Sequence, residues 1–520
     1  PSRGPFRVCV RPLGVHSSPT RSSTVEAEMY LTTPIYYVND VPHLGHAYTT
    51  VLADALVRAE RLYGRPARLV TGTDEHGLKV QRAAESAGVA PATFAASTAA
   101  RFRSAWDRLG IGYDDFVRTT SGRHRAVVEE LLQSVYDRGF VELGRYRGRY
   151  CVGCEAYVAE PVCPIHRRAT DEVSEENYFF RLSALESPLR AWLAGHPDVI
   201  RPAVRRNEAL GLLRDGLADF SISRTSIDWG VPLPWDPKHV AYVWFDALGA
   251  YLTGADGQWP AHHLIGKDIL RFHAIYWPAI LLAAGLAPPA RITVHGFLLV
   301  RGSGGLVRGS GGREKISKSG LPGIPLDDLL DEFGVDAVRY HLLRSYPVGP
   351  DGDFSVDGLR RRYRADLANT LGNLVSRLSA LVVSRCGGVG PAPDPDSALA
   401  AVAAKVLADV EAAWTDVQPA DALAAVWRLV AAANAYLVAA EPWRLAEGPA
   451  LDRVLGDVLE AVRIVALLAY PAIPGAAAVI WRRIGLSGPV STARLPDDAQ
   501  WGRYAGGRPV VKAAPLFPRL

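Results

Sequence analysis

The chain has 520 residues, 48% of them hydrophobic and 22% charged, with a net charge of +4. That length allows two to four domains with more than one core, and the composition is that of an ordinary globular protein. The mild charge excludes a nucleic-acid partner imposed by global electrostatics, and the longest apolar run, Ala279 to Pro288, is too short to span a bilayer, so no membrane partner is expected.

Residues 1–28 carry Arg3, Arg7, Arg11 and Arg21, several serines and no acid before Glu26. They read as a non-structural extension upstream of Met29, the sole methionine, in a cytoplasmic protein. The alternative is an organellar transit peptide. Residues 30–38, YLTTPIYYV, are rich in β-branched and aromatic residues and predict a strand. A turn at Asn39–Pro42 follows, then a helix from His43 to Leu62 with Leu52, Leu56 and Val57 among its apolar positions, then a strand at Arg68–Thr71. This order opens an α/β, doubly wound parallel sheet of Rossmann type, which binds ligands at the carboxyl ends of its strands. Residues 84–136 keep a helical period, so 29–139 reads as the first half of that domain.

The stretch 140–239 changes character, with clustered cysteines, aromatics and short alternating runs. It predicts an insertion with its own small core. Strand-like Val240–Trp244 and Arg291–Val294 restore the α/β pattern over 240–300. Within 301–358 lies a Gly/Ser-rich loop, 302–312. From Leu359 to about Arg483 the pattern is almost purely helical, so 359–486 reads as an all-α bundle, and 487–520 is a tail without periodicity.

Three motifs carry chemistry. His43-Leu44-Gly45-His46 places two imidazoles three apart at a helix N-terminus, where they can donate to a phosphate with the helix dipole behind them. Gly45 lets a flat ring approach the backbone. Lys315-Ile316-Ser317-Lys318-Ser319 sets two of only seven lysines in a chain whose basic residues are mostly Arg, beside the Gly-rich loop, where mobile ammonium groups suit a developing pyrophosphate charge. The plain alternatives are two histidines in a turn and a solvated charged loop. Cys151-x2-Cys154 and Cys163-x2-His166 have the count and paired spacing of a structural, tetrahedral Zn2+ site, with buried thiols or a vestigial knuckle as the alternative. Three thiolates and an imidazole leave no open position, so the site is not catalytic.

H-x-G-H followed by K-x-S-K-S resembles the signature pair of class I aminoacyl-tRNA synthetases, whose second motif is KMSKS; here Ile316 keeps an apolar anchor. LTTPIYYVNDVPHLGHAYTT, TGTDEHG at 71–77, YVWFDALGAYLT at 242–253, HLIGKDILRFHAIYWPA at 263–279 and VHGFL at 294–298 are similar to the methionyl-tRNA synthetase family. ADLANTLGNLVSR at 365–377 and AAEPWRLA at 439–446 resemble that family's anticodon domain. The resemblance covers roughly Met29 to Leu486, in a bacterial-type form with a single zinc knuckle, and implies that 301–358 is the KMSKS-type loop and stem-contact region.

The resemblance implies a methionine–tRNA ligase. It would join ATP, with its Mg2+, to L-methionine as an adenylate and pass methionine to initiator and elongator tRNA(Met). Ile35, Tyr37, Trp244, Ala247, Leu248, Tyr251, Ile269 and His273 would line the methionine pocket, and Asp74 would hold the ammonium. A thioether suits such a pocket, with the Tyr251 hydroxyl or His273 able to touch sulfur. His43, Gly45, His46, Lys315, Lys318 and Arg224 would bind ATP, with His43, His46, Lys315 and Lys318 catalytic. Asn373, Arg377 and Trp443, the last placed at a helix start, would read the anticodon through hydrogen bonds and stacking. For these three a packed bundle is the alternative. The knuckle would hold the insertion over the active site.

The loop 302–312 is longer than the family's usual hairpin. No additional dimerisation domain follows the bundle, and a monomer is expected. Two other readings remain: a class I synthetase for leucine, isoleucine, valine or cysteine, or a non-catalytic RNA-binding relative.

Overall fold

A computed structural model describes residues 28–39, 41–151, 156–158, 160–163, 169–300, 314–315 and 325–520. The extension up to residue 27, the loop 302–312, Cys154, His166, Ile316 and Lys318 lie outside the described residues.

In chain order the elements are β1 (Met29–Tyr37), α1 (Leu44–Leu62), β2 (Ala67–Asp74), α2 (Leu78–Ser86), α3 (Pro91–Arg108), β3 (Asp115–Arg118) and α4 (Gly122–Asp137). Then come β4 (Val141–Cys151), β5 (Ala156–Val158), β6 (Asp171–Phe180), α5 (Glu186–Gly195), β7 (Ile200–Arg201), α6 (Ala203–Arg214), β8 (Phe220–Ser221) and β9 (Ser223–Arg224). Next are β10 (Val240–Ala241), α7 (Val243–Thr253), β11 (His262–Gly266), a π-helical turn at Phe272–Tyr276, α8 (Trp277–Ala284), β12 (Arg291–His295), β13 (Leu298–Val300) and β14 (Glu314–Lys315). The rest is α9 (Leu326–Phe333), α10 (Val335–Ser345), β15 (Gly352–Phe354), α11 (Val356–Arg362), a π-helical segment at Tyr363–Gly372, α12 (Asn373–Arg385), β16 (Val389–Gly390), α13 (Ala398–Thr415), α14 (Pro419–Ala440), α15 (Pro449–Ala469), α16 (Pro474–Arg483) and β17 (Arg508–Pro509).

These form two compact units. One holds the described residues of Pro1–Pro42, Arg68–Ser104 and Gly112–Val294, the other those of His43–Ala67, Ala105–Ile111 and His295–Leu520.

The first unit is built on a six-stranded sheet ordered β3-β2-β1-β11-β12-β7, with parallel register between β1 and β11, β2 and β3, and β12 and β7. Tyr30, Leu31, Thr32 and Thr33 are all buried, as a central parallel strand covered on both faces requires. The order reverses between β1 and β11. At such a switch point the strand ends leave a crevice, and here Tyr37 and Gly266 end those two strands. At Gly72 a Cβ would stand 2.1 Å from the Val117 carbonyl, so only glycine lets β2 lie this close to β3.

Several expectations change. The helical period of 84–136 is interrupted by β3; four residues are too few to display a two-residue alternation. The strand expected at Val240–Trp244 stops at Ala241, pairs antiparallel with β9 and gives way to α7 at Val243. An unbroken apolar run does not tell a buried strand from a buried helix. The insertion has a four-stranded antiparallel sheet, β5-β4-β6-β8, but its root is not a separate core. Val141 and Phe180 join one buried cluster with Val128 and Leu132 of α4, Ile280 of α8 and Ile292 of β12. Toward the tip, Cys151 and Cys163 are buried.

The second unit holds the sheet β14-β13-β15 and a helical bundle. Helix α15 is its axis, with every residue from Val454 to Ala469 buried. Helix α14 is long and apolar enough to cross a membrane by length and composition, against the expectation that no run would be. It packs instead between α13 and α15, with Leu423, Val426, Leu429, Val430 and Leu437 buried. The tail is docked. The Glu460 carboxylate accepts the backbone N–H groups of Arg503 (2.9 Å) and Tyr504 (3.1 Å), and β17 pairs with β16.

Candidate active site

In the first unit, Trp244, Ala247, Leu248 and Tyr251 recur at helical spacing on α7 and share one face. His273 enters from the π-helical turn; such turns commonly mark functional sites. Its Nδ1 faces the Ile269 carbonyl at 2.9 Å and its Nε2 faces the Tyr251 hydroxyl at 2.6 Å. A carbonyl only accepts, so Nδ1 carries the proton, Nε2 is an acceptor, and Tyr251 must donate to it. Burial pushes His273 down to about 4 and raises Tyr251, so both stay neutral near pH 7. The two groups expected to touch a substrate sulfur are thus bonded to each other.

Asp74 ends β2, is 8% exposed, and its charge further raises the Tyr251 hydroxyl, which places the two in one electrostatic neighbourhood. Trp244 is half-buried and stacks on Phe272, centroids 3.6 Å apart and planes at 7°. Ile35 and Tyr37 fall into different packing groups. Ile35 packs against the cluster that holds Tyr30, Val70 and Val117, whereas Tyr37 packs against that of Val38, Val80 and Ala95 and donates from its hydroxyl to the His76 carbonyl at 2.9 Å.

The sequence reading missed a polar layer beside these residues. The buried Asp246 carboxylate accepts from His76 Nδ1 at 2.6 Å and from His124 Nε2 at 2.8 Å. Burial opposes its charge, but the two imidazoles outweigh burial and hold the carboxyl well below the usual range. Glu75, fully buried, accepts two bonds from Arg118 (2.7 and 2.9 Å) and one from Thr73 (2.6 Å). Trp229 donates to the Glu75 carbonyl at 2.6 Å. Glu75, His76 and Asp246 stand in segments that carry the family resemblance, but no spacing along the chain links 76, 124 and 246. Arg224 is buried. Its guanidinium lies over the Tyr242 ring and bonds the Ser221 hydroxyl (2.8 Å) and the Ser223 carbonyl (2.7 Å).

In the second unit, His43 is the N-cap of α1. Its Nδ1 accepts the Gly45 N–H at 3.1 Å, while His46 Nδ1 accepts the His43 N–H at 3.4 Å. The two rings stack, centroids 3.6 Å apart. Each Nδ1 is an acceptor, so each neutral ring carries its proton on Nε2. The helix cap thereby turns both imidazoles into donors at a positive helix end whose first turn holds no acidic residue. A Cβ on Gly45 would stand 3.0 Å from His43 Cε1, so the flat ring that glycine admits is that of His43. Nearby, Thr49 Oγ1 and His295 Nε2 lie 2.8 Å apart. The backbone of Lys315 lies in β14, opposite Leu299 of β13.

Asn373 and Arg377 are exposed on α12, and the Arg377 guanidinium is 5.9 Å from the ring centroid of Trp443. Trp443, 43% exposed, is not at a helix start. It sits in the turn between α14 and α15, because Glu441 leaves α14 in a left-handed conformation and the next helix begins only at Pro449. Arg385 holds that turn, donating to the carbonyls of Trp443 (3.3 Å) and Leu445 (2.7 Å).

The family described as tRNA synthetases class I (M) matches residues 29–170 and 158–379. A methionine–tRNA ligase of Streptomyces coelicolor is 42% identical, the match covering 94% of this chain and 96% of that protein. One from Synechocystis is 41% identical, over 94% and 97%. Among solved structures, Mycobacterium tuberculosis methionyl-tRNA synthetase bound by methionyl-adenylate superposes with a TM-score of 0.86 at 37% identity, covering 94% of this chain and all of that one. With a six-stranded parallel sheet, a His43–His46 cap and a likeness of this extent, the chain belongs to the methionine family of class I tRNA synthetases.

Proposed function

We propose that this chain is a methionine–tRNA ligase. The L-methionine carboxylate attacks the α-phosphorus of ATP, pyrophosphate leaves, and the 3′ hydroxyl of tRNA(Met) displaces AMP from the methionyl adenylate. The observation that carries this reading is the likeness, over 94% of the chain, to proteins of that activity.

Each residue contributes by position and charge, since the chemistry needs orientation and charge stabilisation more than proton transfer. Asp74 meets the substrate ammonium. Ile35, Tyr37, Trp244, Ala247, Leu248, Tyr251, Ile269 and His273 receive the side chain. Because Tyr251 donates to His273 and His273 to Ile269, neither offers a hydrogen to sulfur, and the thioether is recognised by polarisable contact. The Nε2–H groups of His43 and His46 donate to ATP phosphates, Lys315, Lys318 and Arg224 add positive charge, and Mg2+ accompanies the nucleotide. Asn373, Arg377 and Trp443 read the anticodon of initiator and elongator tRNA.

Cys151, Cys154, Cys163 and His166 fit a structural Zn2+ by donor chemistry. Support comes from the tip of the insertion, where the Cys151 and Cys163 thiols are both buried. β4 ends at Cys151, opposite Ala156, and Cys163 follows Val162, which bridges Ala169. A bound ion would tie those two positions to each other. The expected content is one zinc per chain, and Cys154→Ser should abolish it while lowering charging more than adenylate formation. We propose a monomer.

The test is pyrophosphate exchange. Methionine should support it; cysteine or leucine supporting it equally would defeat the proposal, and no exchange with any of them would return the chain to a non-catalytic role.

A further inference from the structure

Helix α7 has two faces. Trp244, Ala247, Leu248 and Tyr251 form the one assigned above to the methionine pocket. Asp246, Gly249 and Thr253 recur at helical spacing on the other, against α4. A Cβ on Gly249 would stand 2.8 Å from Val128 Cγ2 of α4, so glycine admits this close approach. His124 of α4, wholly buried, meets that face at two turns. Its Nε2 donates to Asp246 Oδ1 at 2.8 Å, and its Nδ1 lies 2.9 Å from the Thr253 hydroxyl.

The second Asp246 oxygen accepts from His76, two residues beyond Asp74, at 2.6 Å. The backbone of that turn is clamped along its length. The Asp74 carbonyl accepts the Val38 N–H at 3.1 Å, and the Glu75 N–H donates to the Thr119 hydroxyl at 2.9 Å. Trp229 donates to the Glu75 carbonyl at 2.6 Å and Tyr37 to the His76 carbonyl at 2.9 Å. A turn held so closely moves as a block, and the His76–Asp246 bond ties the block to α7. One buried carboxylate, accepting from two sides, thus joins the turn that carries Asp74 to the helix that carries the pocket face. In a dry interior such a joint tolerates little shift, because each broken bond leaves a polar group unmet. We infer that His124 and Asp246 are positioning residues for the amino-acid substrate: they fix the distance from the Asp74 carboxylate to the pocket face of α7, and with it the length of side chain accepted. A substrate whose ammonium is held at Asp74 presents its side chain to α7, so that distance acts as a ruler.

This rests on the reading of Asp74 as the ammonium contact and of α7 as the pocket wall, and the experiment separates the two. The full chain is assayed by pyrophosphate exchange with methionine, with S-methylcysteine, one methylene shorter, and with ethionine, one methylene longer. A methylene in an apolar pocket is worth roughly 10- to 200-fold in kcat/KM. In His124→Ala the preference for methionine over both analogues should fall about tenfold, the methionine KM should rise and the ATP KM should stay put. His124→Gln, which restores a donor to Asp246, should recover most of the preference. Asp246→Asn keeps the shape but loses one of the two acceptors, and should relax the preference as His124→Ala does; it carries the same readout where the alanine variant does not fold. A merely structural role would lower the melting temperature and scale exchange equally for all three substrates. That result, with the preference intact, overturns the inference while leaving the ligase reading standing. A parent that gives no exchange with methionine removes the reading of Asp74 and α7, and the ruler falls with it.

Discussion

The Tyr251–His273 pair allows a sharp test of how the proposed methionine pocket works. Tyr251→Phe removes one oxygen and leaves the ring in place. His273 Nε2, buried and 2.6 Å from that oxygen, then faces apolar surroundings with its lone pair unmet. Its tautomer is held by Ile269, so it cannot turn a hydrogen to that side instead. An orphaned buried acceptor costs about 1–3 kcal/mol, whereas removing both partners leaves no polar group unmet. Tyr251→Phe and His273→Leu should each destabilise by that order, and the double variant should lose clearly less than their sum, with a coupling of about 1–2 kcal/mol in urea denaturation. The methionine KM in pyrophosphate exchange should rise less than about tenfold in Tyr251→Phe, because the hydroxyl proton serves His273 and not sulfur. The opposite pattern, additive stabilities with a methionine KM raised well beyond tenfold, would refute the proton assignment.

Acid should unfold the first unit early. Burial holds His262 at about 3 and His273 at about 4, below the ordinary value near 6.5. The unfolded chain takes up these protons first, so the stabilisation is whole above pH 6.5 and is lost as pH falls toward 4, at roughly 3 kcal/mol per pH unit for the two together; a urea midpoint flat from pH 7.5 to 5 would contradict this. His46→Ala should cost about 100- to 1,000-fold in exchange through loss of a phosphate donor, while stability drops only about 1 kcal/mol for the weakened cap. Exchange within tenfold of the parent would remove His46 from the reaction. Arg339→Met should destabilise the second unit by about 3–5 kcal/mol, measured by thermal melting, since it takes a guanidinium partner from the buried Asp54 and removes the donor to three carbonyls; an unchanged melting temperature would show that Arg58 satisfies that carboxylate without it.

What could be read from the sequence divides along a physical line. Elements with a strong local signal were legible: β1 from its aromatic and β-branched run, α1 from its apolar spacing, the bundle from its helical period. The signature imidazoles were legible because a helix start and a cap lie within four residues. β3 and β11 were not, because a short strand covered on both faces has no polar side to alternate with. Pro442 before Trp443 suggests a helix start, but the left-handed Glu441 and the carbonyl bonds from Arg385, 58 residues away from Trp443, decide that turn. The Asp246 layer was invisible for the same reason: three residues far apart in sequence meet only after the sheet is assembled.

The placement of His43 and His46 shows the same dependence on distant residues. They cap α1, but the cap says nothing about where α1 lies in its unit. That is fixed along the helix by Asp54 and Arg58, one turn apart. Asp54 accepts from Arg58 at 2.8 Å and from Arg339 of α10, and Arg58 also donates to the Tyr470 hydroxyl at 2.9 Å. Arg339, wholly buried, also donates to the carbonyls of Leu109, Pro471 and Ala472. Farther down, the Leu495 N–H bonds to the Leu62 carbonyl at 2.7 Å. A buried guanidinium that meets one carboxylate and three carbonyls tolerates little shift, because each broken bond leaves a polar group in a dry interior. The helix that presents the imidazoles is thus held by side chains and backbone from the bundle more than 270 residues later in the chain. Substitutions at Arg339 or Tyr470 should therefore alter exchange as well as stability, although neither belongs to a signature motif.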